Sequence, residues 1–455
     1  MSWAAHEMAG ASFGDERLNK RSASLLETFG AKPMLSIPAA ARGLAETLAA
    51  YRFFDHDNVS AEKVLEPHAA CTLERAREHS LVLAIQDTTE LDYTGKNDIK
   101  GLGPLSYEAQ RGMYLHPTFL VTPERVPLGL FDAWMWARDP ETFGHETSHL
   151  PIEEKESVRW LEGYQRLTEV ADELPETQLV SLADREADIY EMFTETKTSS
   201  VELLVRAQYD RVLVDEKMPR EGRKLREKLD KAPVLGEVTF VLPKTAERPE
   251  REVTQSLRAA RVTIRAPSGK RHKAPSVELT AVLADEVNPP AGQTPVRWLL
   301  LTTMAVENFE QAVEKMQWYL CRWDIELLFK VLKSGCKIEE LQLEHIDRLQ
   351  PAIALYLIIA WRVMLLTMTA RRCPDMPCDV ILETEEWQAI YIVSQRQKPP
   401  EEPPPLDTMV RMLAGFGGFL NRKHDGHPGN KSVWIGLQRV RDFVLAIDAQ
   451  RAADP

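Results

Sequence analysis

The chain has 455 residues, of which 44% are hydrophobic and 27% charged, and it carries a formal net charge of −13. That is enough chain for two or three domains with real cores, and its composition is that of a folded protein, not of a disordered or fibrous one. No apolar run reaches the roughly 18 residues of a membrane span; the longest, around Ile353 to Leu366, is interrupted by Arg362. The start, Met1-Ser-Trp-Ala-Ala-His-Glu7, lacks the basic and apolar segments of a secretion signal. Five scattered cysteines (Cys71, Cys321, Cys336, Cys373, Cys378) suit reduced thiols, and Cys373-x4-Cys378 has no second Cys or His pair nearby to make a zinc site. These features predict a cytoplasmic protein with no membrane partner.

Residues 1 to about 65 read as helical, with turn signals at Gly14-Asp15, Lys32-Pro33 and 55–60, and with Asn58 or Ser60 capping the next helix. Residues 66 to 368 read as a mixed α/β region. Strands are expected at Leu81–Ile85, Leu115–Val121, Leu128–Met135, Leu179–Leu182 and Leu203–Arg206, and helices near 152–172 and 307–334. Alternating runs at Gly236–Leu242, Arg261–Arg265 and Val277–Leu283, with a turn at Pro267-Ser-Gly-Lys270, predict a β-rich insertion at about 207–300. Residues 370–396 read as helical, followed by the stiff spacer Lys398-Pro-Pro-Glu-Glu-Pro-Pro-Pro405. A final helical unit runs from Leu406 to Ala452, with Trp434, Leu437, Val440, Val444 and Ile447 at helical spacing, and so the C-terminal domain spans 369–455. Such a stripe is ordinarily core.

Three carboxylates stand out. Leu81-Val-Leu-Ala-Ile-Gln-Asp87 and Gln178-Leu-Val-Ser-Leu-Ala-Asp184 are buried-type strands that each end at an acid, as strands do that deliver a carboxylate to a sheet edge. An acid there also serves as a turn or cap residue. The third, Glu326, lies in Tyr319-x2-Arg322-x3-Glu326-x6-Lys333. On one continuous helix these four side chains share an arc of about 60°, with Leu328, Val331 and Leu332 on the other side. The same arc would serve as a solvated charged face. A carboxylate flanked by Arg, Lys and a Tyr hydroxyl also suits a metal meeting a phosphodiester, the acid taking the cation and the others the phosphate oxygens. Two strand-end acids and one helical acid supply what two hard divalent ions need for in-line displacement at phosphorus.

The Tyr-Arg-Glu-Lys spacing resembles the signature of cut-and-paste DDE transposases of the insertion-sequence-four type. Asp87-Thr88-Thr89, Asp184-Arg-Glu-Ala-Asp188, Asn288-Pro-Pro290, Pro295-Val-Arg-Trp298-Leu-Leu-Leu-Thr302, Gly14-Asp-Glu-Arg17, Tyr51-Arg-Phe-Phe54 and Gly417-Gly-Phe419 are similar to that family's blocks in order and spacing. The resemblance covers nearly the whole chain and is greatest to the hairpin-forming branch. It implies an α/β, ribonuclease-H-like mixed sheet with flanking helices and a β-rich insertion, plus helical N- and C-terminal domains. It implies that Asp87, Asp184 and Glu326 hold two Mg²⁺ ions (Mn²⁺ as substitute), that Tyr319, Arg322, Lys333 and Arg206 bind DNA phosphates, and that Trp298 stacks a base flipped out of the DNA end. It further implies that the N-terminal unit reads terminal repeats, with Arg17, Lys20, Arg21 and Arg42 as candidate contacts. The C-terminal unit would form a homodimer on double-stranded DNA, both element ends and target. Residues 206–273 hold 18 Lys and Arg against 10 Asp and Glu, a local excess that suits a DNA backbone despite the acidic total. Two rivals stay open: a catalytically silent homologue that occupies ends as an inhibitor, and a structure-specific nuclease of the same fold that cuts without joining.

Overall fold

The computed structural model describes residues 2–41, 43–96, 99–146, 150–214, 224–242, 249–267 and 275–453. Helices α1 (Trp3–Glu7), α2 (Glu16–Ala31), α3 (Ile37–Ala40), α4 (Leu44–Phe54) and α5 (Ala61–Arg77) come first. Strands β1 (Leu81–Gln86), β2 (Thr89–Asp92), β3 (Gly103–Pro104), β4 (Arg111–Val121) and β5 (Pro127–Trp136) follow. Next are α6 (Val158–Ala171), β6 (Gln178–Ala183), α7 (Tyr190–Glu195), β7 (Glu202–Arg206) and α8 (Leu225–Asp230). Strands β8 (Val234–Leu242), β9 (Arg251–Ile264), β10 (Val277–Glu286) and β11 (Arg297–Thr302) precede α9 (Phe309–Leu320) and α10 (Trp323–Lys330). The chain ends in α11 (Ile346–Arg372), α12 (Thr384–Gln395), α13 (Leu406–Phe416) and α14 (Asn430–Ala453). These elements fall into two compact units, one of residues 79–87 and 146–323, the other of 1–78, 88–145 and 324–455.

The unit of 79–87 and 146–323 is built on a mixed sheet. Strands β1, β6 and β7 are parallel neighbours, registered by Ile85↔Leu182 and Ala183↔Val205. Their centres are buried and apolar apart from Ser181 of β6, as parallel strands covered on both faces require. Strand β11 then adds antiparallel to β7, followed in space by β10, β9 and β8. The β-rich segment therefore continues the sheet instead of forming a separate layer. Its expected turn at 267–270 falls, from residue 268 on, outside the described residues. Helix α6 approaches β1 closely: a Cβ at Gly163 would lie 2.8 Å from the Gln86 amide oxygen, so a larger residue there would have to displace the Gln86 side chain.

In the other unit α11 is the central element. The domain boundary expected at 368/369 falls within α11, one 27-residue helix, buried from Ala352 to Met364 without interruption. It is the one described helix long and apolar enough to cross a membrane, yet 94% of its most apolar stretch is buried in protein. Arg362 at its middle is neutralised by Glu386 at 2.7 Å and lies over the Trp3 ring. Helix α2 packs on it through Phe29 and Tyr356, stacked at 5.8 Å, and β4 and β5 form an antiparallel ribbon beside α5. The apolar stripe of α14 is used inside the chain: Val433, Trp434, Leu437, Val440 and Val444 are buried where α14 packs on α12 and α13.

Two helical expectations need correction. The helix expected at 370–396 is reduced to α12, because α11 ends at Arg372 and only a short 3₁₀ turn, Cys378–Val380, intervenes. The helix expected at 307–334 is three pieces. It tightens at Cys321–Arg322, where Arg322 N–H donates to the Tyr319 carbonyl, and widens to a π-turn over Val331–Gly335, where Cys336 N–H reaches back to Val331. The single 60° arc presumed an unbroken α-helix, which this segment is not; Tyr319 and Arg322 are buried and Glu326 is exposed.

A buried ionic knot fixes α1 to α5. Glu7 accepts from His68 Nδ1 and from Arg75 Nη1 at 2.8 Å, and the backbone N–H of Leu130 donates to His68 Nε2 at 3.1 Å. That last bond requires an unprotonated Nε2, and burial likewise pushes the His68 pKa below its usual 6.5. Burial would raise the Glu7 carboxyl, but the His68 hydrogen bond and the cationic Arg75 hold it well below the ordinary 4.5. In the unfolded chain His68 takes a proton below about pH 6.5 and Glu7 below about pH 4.5, whereas the folded chain resists both, so stability falls as pH drops through this window. The urea midpoint should be highest above pH 6.5 and decline progressively below it. Glu7→Ala, which leaves Arg75 without its anion, should cost about 3 kcal/mol at neutral pH and flatten the part of that acid limb below about pH 4.5, leaving the His68 part in place.

Candidate active site

Asp87 and Asp184 are placed by the same local rule. Each lies one residue beyond the end of a parallel strand, and the register Ile85↔Leu182 puts the two strand ends side by side, at the usual spacing of about 4.8 Å. Both are half-buried. Asp184 caps the 3₁₀ turn Arg185–Ala187, its Oδ1 accepting from Glu186 N–H at 2.8 Å. Arg206 ends β7 and is level with Asp184, since Ala183 pairs with Val205.

Helix α9 brings Tyr319 and the following turn brings Arg322. The Arg322 guanidinium forms a 2.8 Å ion pair with Asp87, with the two side chains only 9% and 16% exposed. Arg322 also lies over the ring of the exposed Trp323, at 4.9 Å. Tyr319 is 3% exposed. Burial pushes its phenol pKa up, the Arg322 and Arg206 cations pull it down, and the Asp184 carboxylate pushes it up again. The net direction is upward, so the hydroxyl keeps its proton and can donate.

Trp298 lies on β11, half-buried, with its ring edge-on to Tyr319 at 6.3 Å and stacked at 6.5 Å on Phe240 of β8. Leu300 pairs with Arg206, so Trp298, two residues away on β11, points to the same sheet face as Arg206. Asp87, Asp184, Arg206, Trp298, Tyr319 and Arg322 thus belong to one compact unit and are linked by register, ion pair, ring contact or shared electrostatics. Glu326 and Lys333 belong to the other unit. Glu326 is exposed on α10, and Lys333 sits in the π-turn with its ammonium 3.7 Å from Glu339.

Two residues escaped the sequence reading of the site. Asp188 is buried and accepts from the backbone N–H groups of Gln208 and Tyr209 and from Arg211 Nε at 2.7 Å, which pins the segment after Arg206. The sequence marked it only as the last residue of the block Asp184-Arg-Glu-Ala-Asp188, with no role assigned. Phe240 backs Trp298, and nothing but strand alternation marked it. Among the N-terminal candidates, Arg17 is exposed and paired with Asp15 at 2.9 Å, Lys20 is exposed near Glu16 at 3.6 Å, and Arg21 is half-buried. Arg42 lies outside the described residues.

Because Arg322 is the buried counter-charge of Asp87, Arg322→Ala should destabilise the fold by about 2–3 kcal/mol in urea melts. Lysine at the same position should recover only part of that loss, having one point charge in place of a planar fork.

Residues 1–59 match the transposase DNA-binding family, and residues 358–454 match the transposase Tn5 dimerisation domain. The first match covers α1 to α4; the second covers the C-terminal part of α11 and all of α12, α13 and α14. A mixed sheet flanked by helices, with helical regions at both ends of the chain, is consistent with a ribonuclease-H-like transposase fold. Together the two matches and the fold support a Tn5-type DNA transposase, one that binds DNA ends and dimerises.

Proposed function

We propose that this protein is a DDE transposase that binds the terminal repeats of its element, excises it through nicking, hairpin formation and hairpin opening, and joins the 3′ ends to target DNA. The observation that carries this reading is the pair of carboxylates, Asp87 and Asp184, at adjacent parallel strand ends, beside Arg206, Arg322 and Tyr319. The donor set is all carboxylate oxygen, which fits Mg²⁺ or Mn²⁺ and not a softer ion. Asp87, Asp184 and Glu326 would hold two Mg²⁺ ions, which when bound supply charge stabilisation to the attacking and leaving oxygens of an in-line displacement.

The chain's own groups do the rest. Arg322 and Arg206 are fixed cations, and a phosphate entering the site would draw the Arg322 fork away from Asp87 by bidentate bonding, freeing the carboxylate for the metal. Tyr319, kept protonated, donates to a phosphate oxygen, and Lys333 adds a point charge. Trp298, braced by Phe240, is the stacking surface for an extrahelical base, which would hold the end strand bent toward its partner during the hairpin step. The N-terminal helices would read the terminal repeat, with Arg17, Lys20, Arg21 and Arg42 as contacts. The C-terminal helices would hold two subunits, and so two ends, together.

The test uses a supercoiled plasmid carrying the element's own terminal repeats, with purified protein and Mg²⁺. Excised fragments with hairpin ends should appear with the wild type and vanish with EDTA. Glu326→Ala should retain end binding and lose nicking entirely; nicking at the wild-type rate by that variant would overturn the assignment. Trp298→Ala should nick normally and lose hairpin yield by about tenfold, the equivalent of one stacked base. End binding without cleavage, even in Mn²⁺, would favour a silent end-binding homologue, and cleavage without joining a nuclease.

A further inference from the structure

The ionic knot between α1 and α5 has a neighbour that its own chemistry does not use. His68, Cys71 and Arg75 are spaced i, i+3, i+7 on α5 and form one stripe along that helix. Facing it, α1 presents His6 and Glu7 in succession. His68 and Arg75 engage Glu7, as described above, and the Cys71 thiol donates to the His6 carbonyl at 3.6 Å. The His6 ring is exposed, Glu7 is buried and Cys71 is half-buried. One imidazole nitrogen, one carboxylate oxygen and the thiol sulfur lie within 4.8 Å of one another.

We propose that His6, Glu7 and Cys71 form a binding site for a borderline transition-metal ion of the Zn²⁺ class, with a fourth position open to water. Tetrahedral coordination with metal–sulfur and metal–nitrogen bonds of about 2.3 and 2.0 Å needs donor atoms closer than they lie, by about 1 Å. The exposed His6 ring can supply that movement by a rotamer change. Glu7 is already ionised and oriented by His68 and Arg75, the outer-shell arrangement in which ligating carboxylates are held by further hydrogen bonds. A nitrogen, oxygen and sulfur set selects Zn²⁺ or Co²⁺ and rejects Mg²⁺, so this site is chemically distinct from the carboxylates of the candidate active site. On binding, the Cys71 S–H bond breaks, the proton goes to solvent and a sulfur–metal bond forms; loading therefore rises with pH. The ion would cross-link α1 to α5 and clamp the first helix of the segment that matches a DNA-binding family.

The test titrates chelator-stripped full-length protein with Co²⁺ under reducing conditions. A thiolate-to-cobalt charge-transfer band should appear, saturate at one equivalent and disappear on adding Zn²⁺. Cys71→Ser and His6→Ala should each abolish it, while Cys373→Ser should leave it intact. Zn²⁺ alone should raise the melting temperature of the wild type by at least about 2 °C and leave that of His6→Ala unchanged. His6 is exposed, so that variant reports the site without a folding penalty. Cobalt held only by the active-site carboxylates gives no sulfur band, which separates this proposal from the catalytic one. No band, or a band that survives Cys71→Ser, would overturn it.

Discussion

The 2.8 Å ion pair between Arg322 and Asp87 is the contact on which the candidate site depends. Asp87 comes from the end of a strand near the start of the sheet-bearing unit, and Arg322 from a turn 235 residues later. Joined, they tie the helix-and-turn segment 309–322 to the carboxylate end of the sheet, and Tyr319 is carried to Arg206 and Asp184 as a consequence. Neither partner is well solvated, so each needs the other or a replacement of the right charge. A phosphate is such a replacement for the guanidinium, and a divalent cation for the carboxylate.

Sheet architecture supplies the second constraint. Parallel strands β1, β6 and β7 have largely apolar, buried centres and deliver Asp87, Asp184 and Arg206 at the same end of the sheet. Antiparallel β11 returns beside β7 and sets Trp298 on the face that Arg206 occupies. The long β-rich stretch between β7 and α9 is therefore more than a connection: it widens the same sheet, and its outermost strand β8 provides Phe240 behind Trp298.

Much of this could be read in the residues. Leu81–Ile85, Leu179–Leu182 and Leu203–Arg206 were recognisable as strands because parallel sheet burial leaves short, mainly apolar runs, and each acid or base was visible close to the end of its run. Helix continuity was not legible. The 319–333 segment keeps helical apolar spacing, so nothing in its pattern announces a tight turn at Cys321–Arg322 or a π-turn at Val331–Gly335. The stripe Trp434, Leu437, Val440 and Val444 was equally ambiguous between core and interface, and in this chain it is core. Asp188 and Phe240 were hidden because their roles exist only through partners distant in sequence.

The central claim is that Asp87 exchanges a guanidinium for a metal when DNA arrives. Its most direct test is anomalous scattering from Mn²⁺ in crystals of the protein bound to its terminal-repeat DNA. The account predicts manganese on Asp87 and Asp184, with the Arg322 guanidinium moved onto a phosphate. An intact Arg322–Asp87 pair with no manganese at either carboxylate, in a complex that cleaves its DNA, would contradict it.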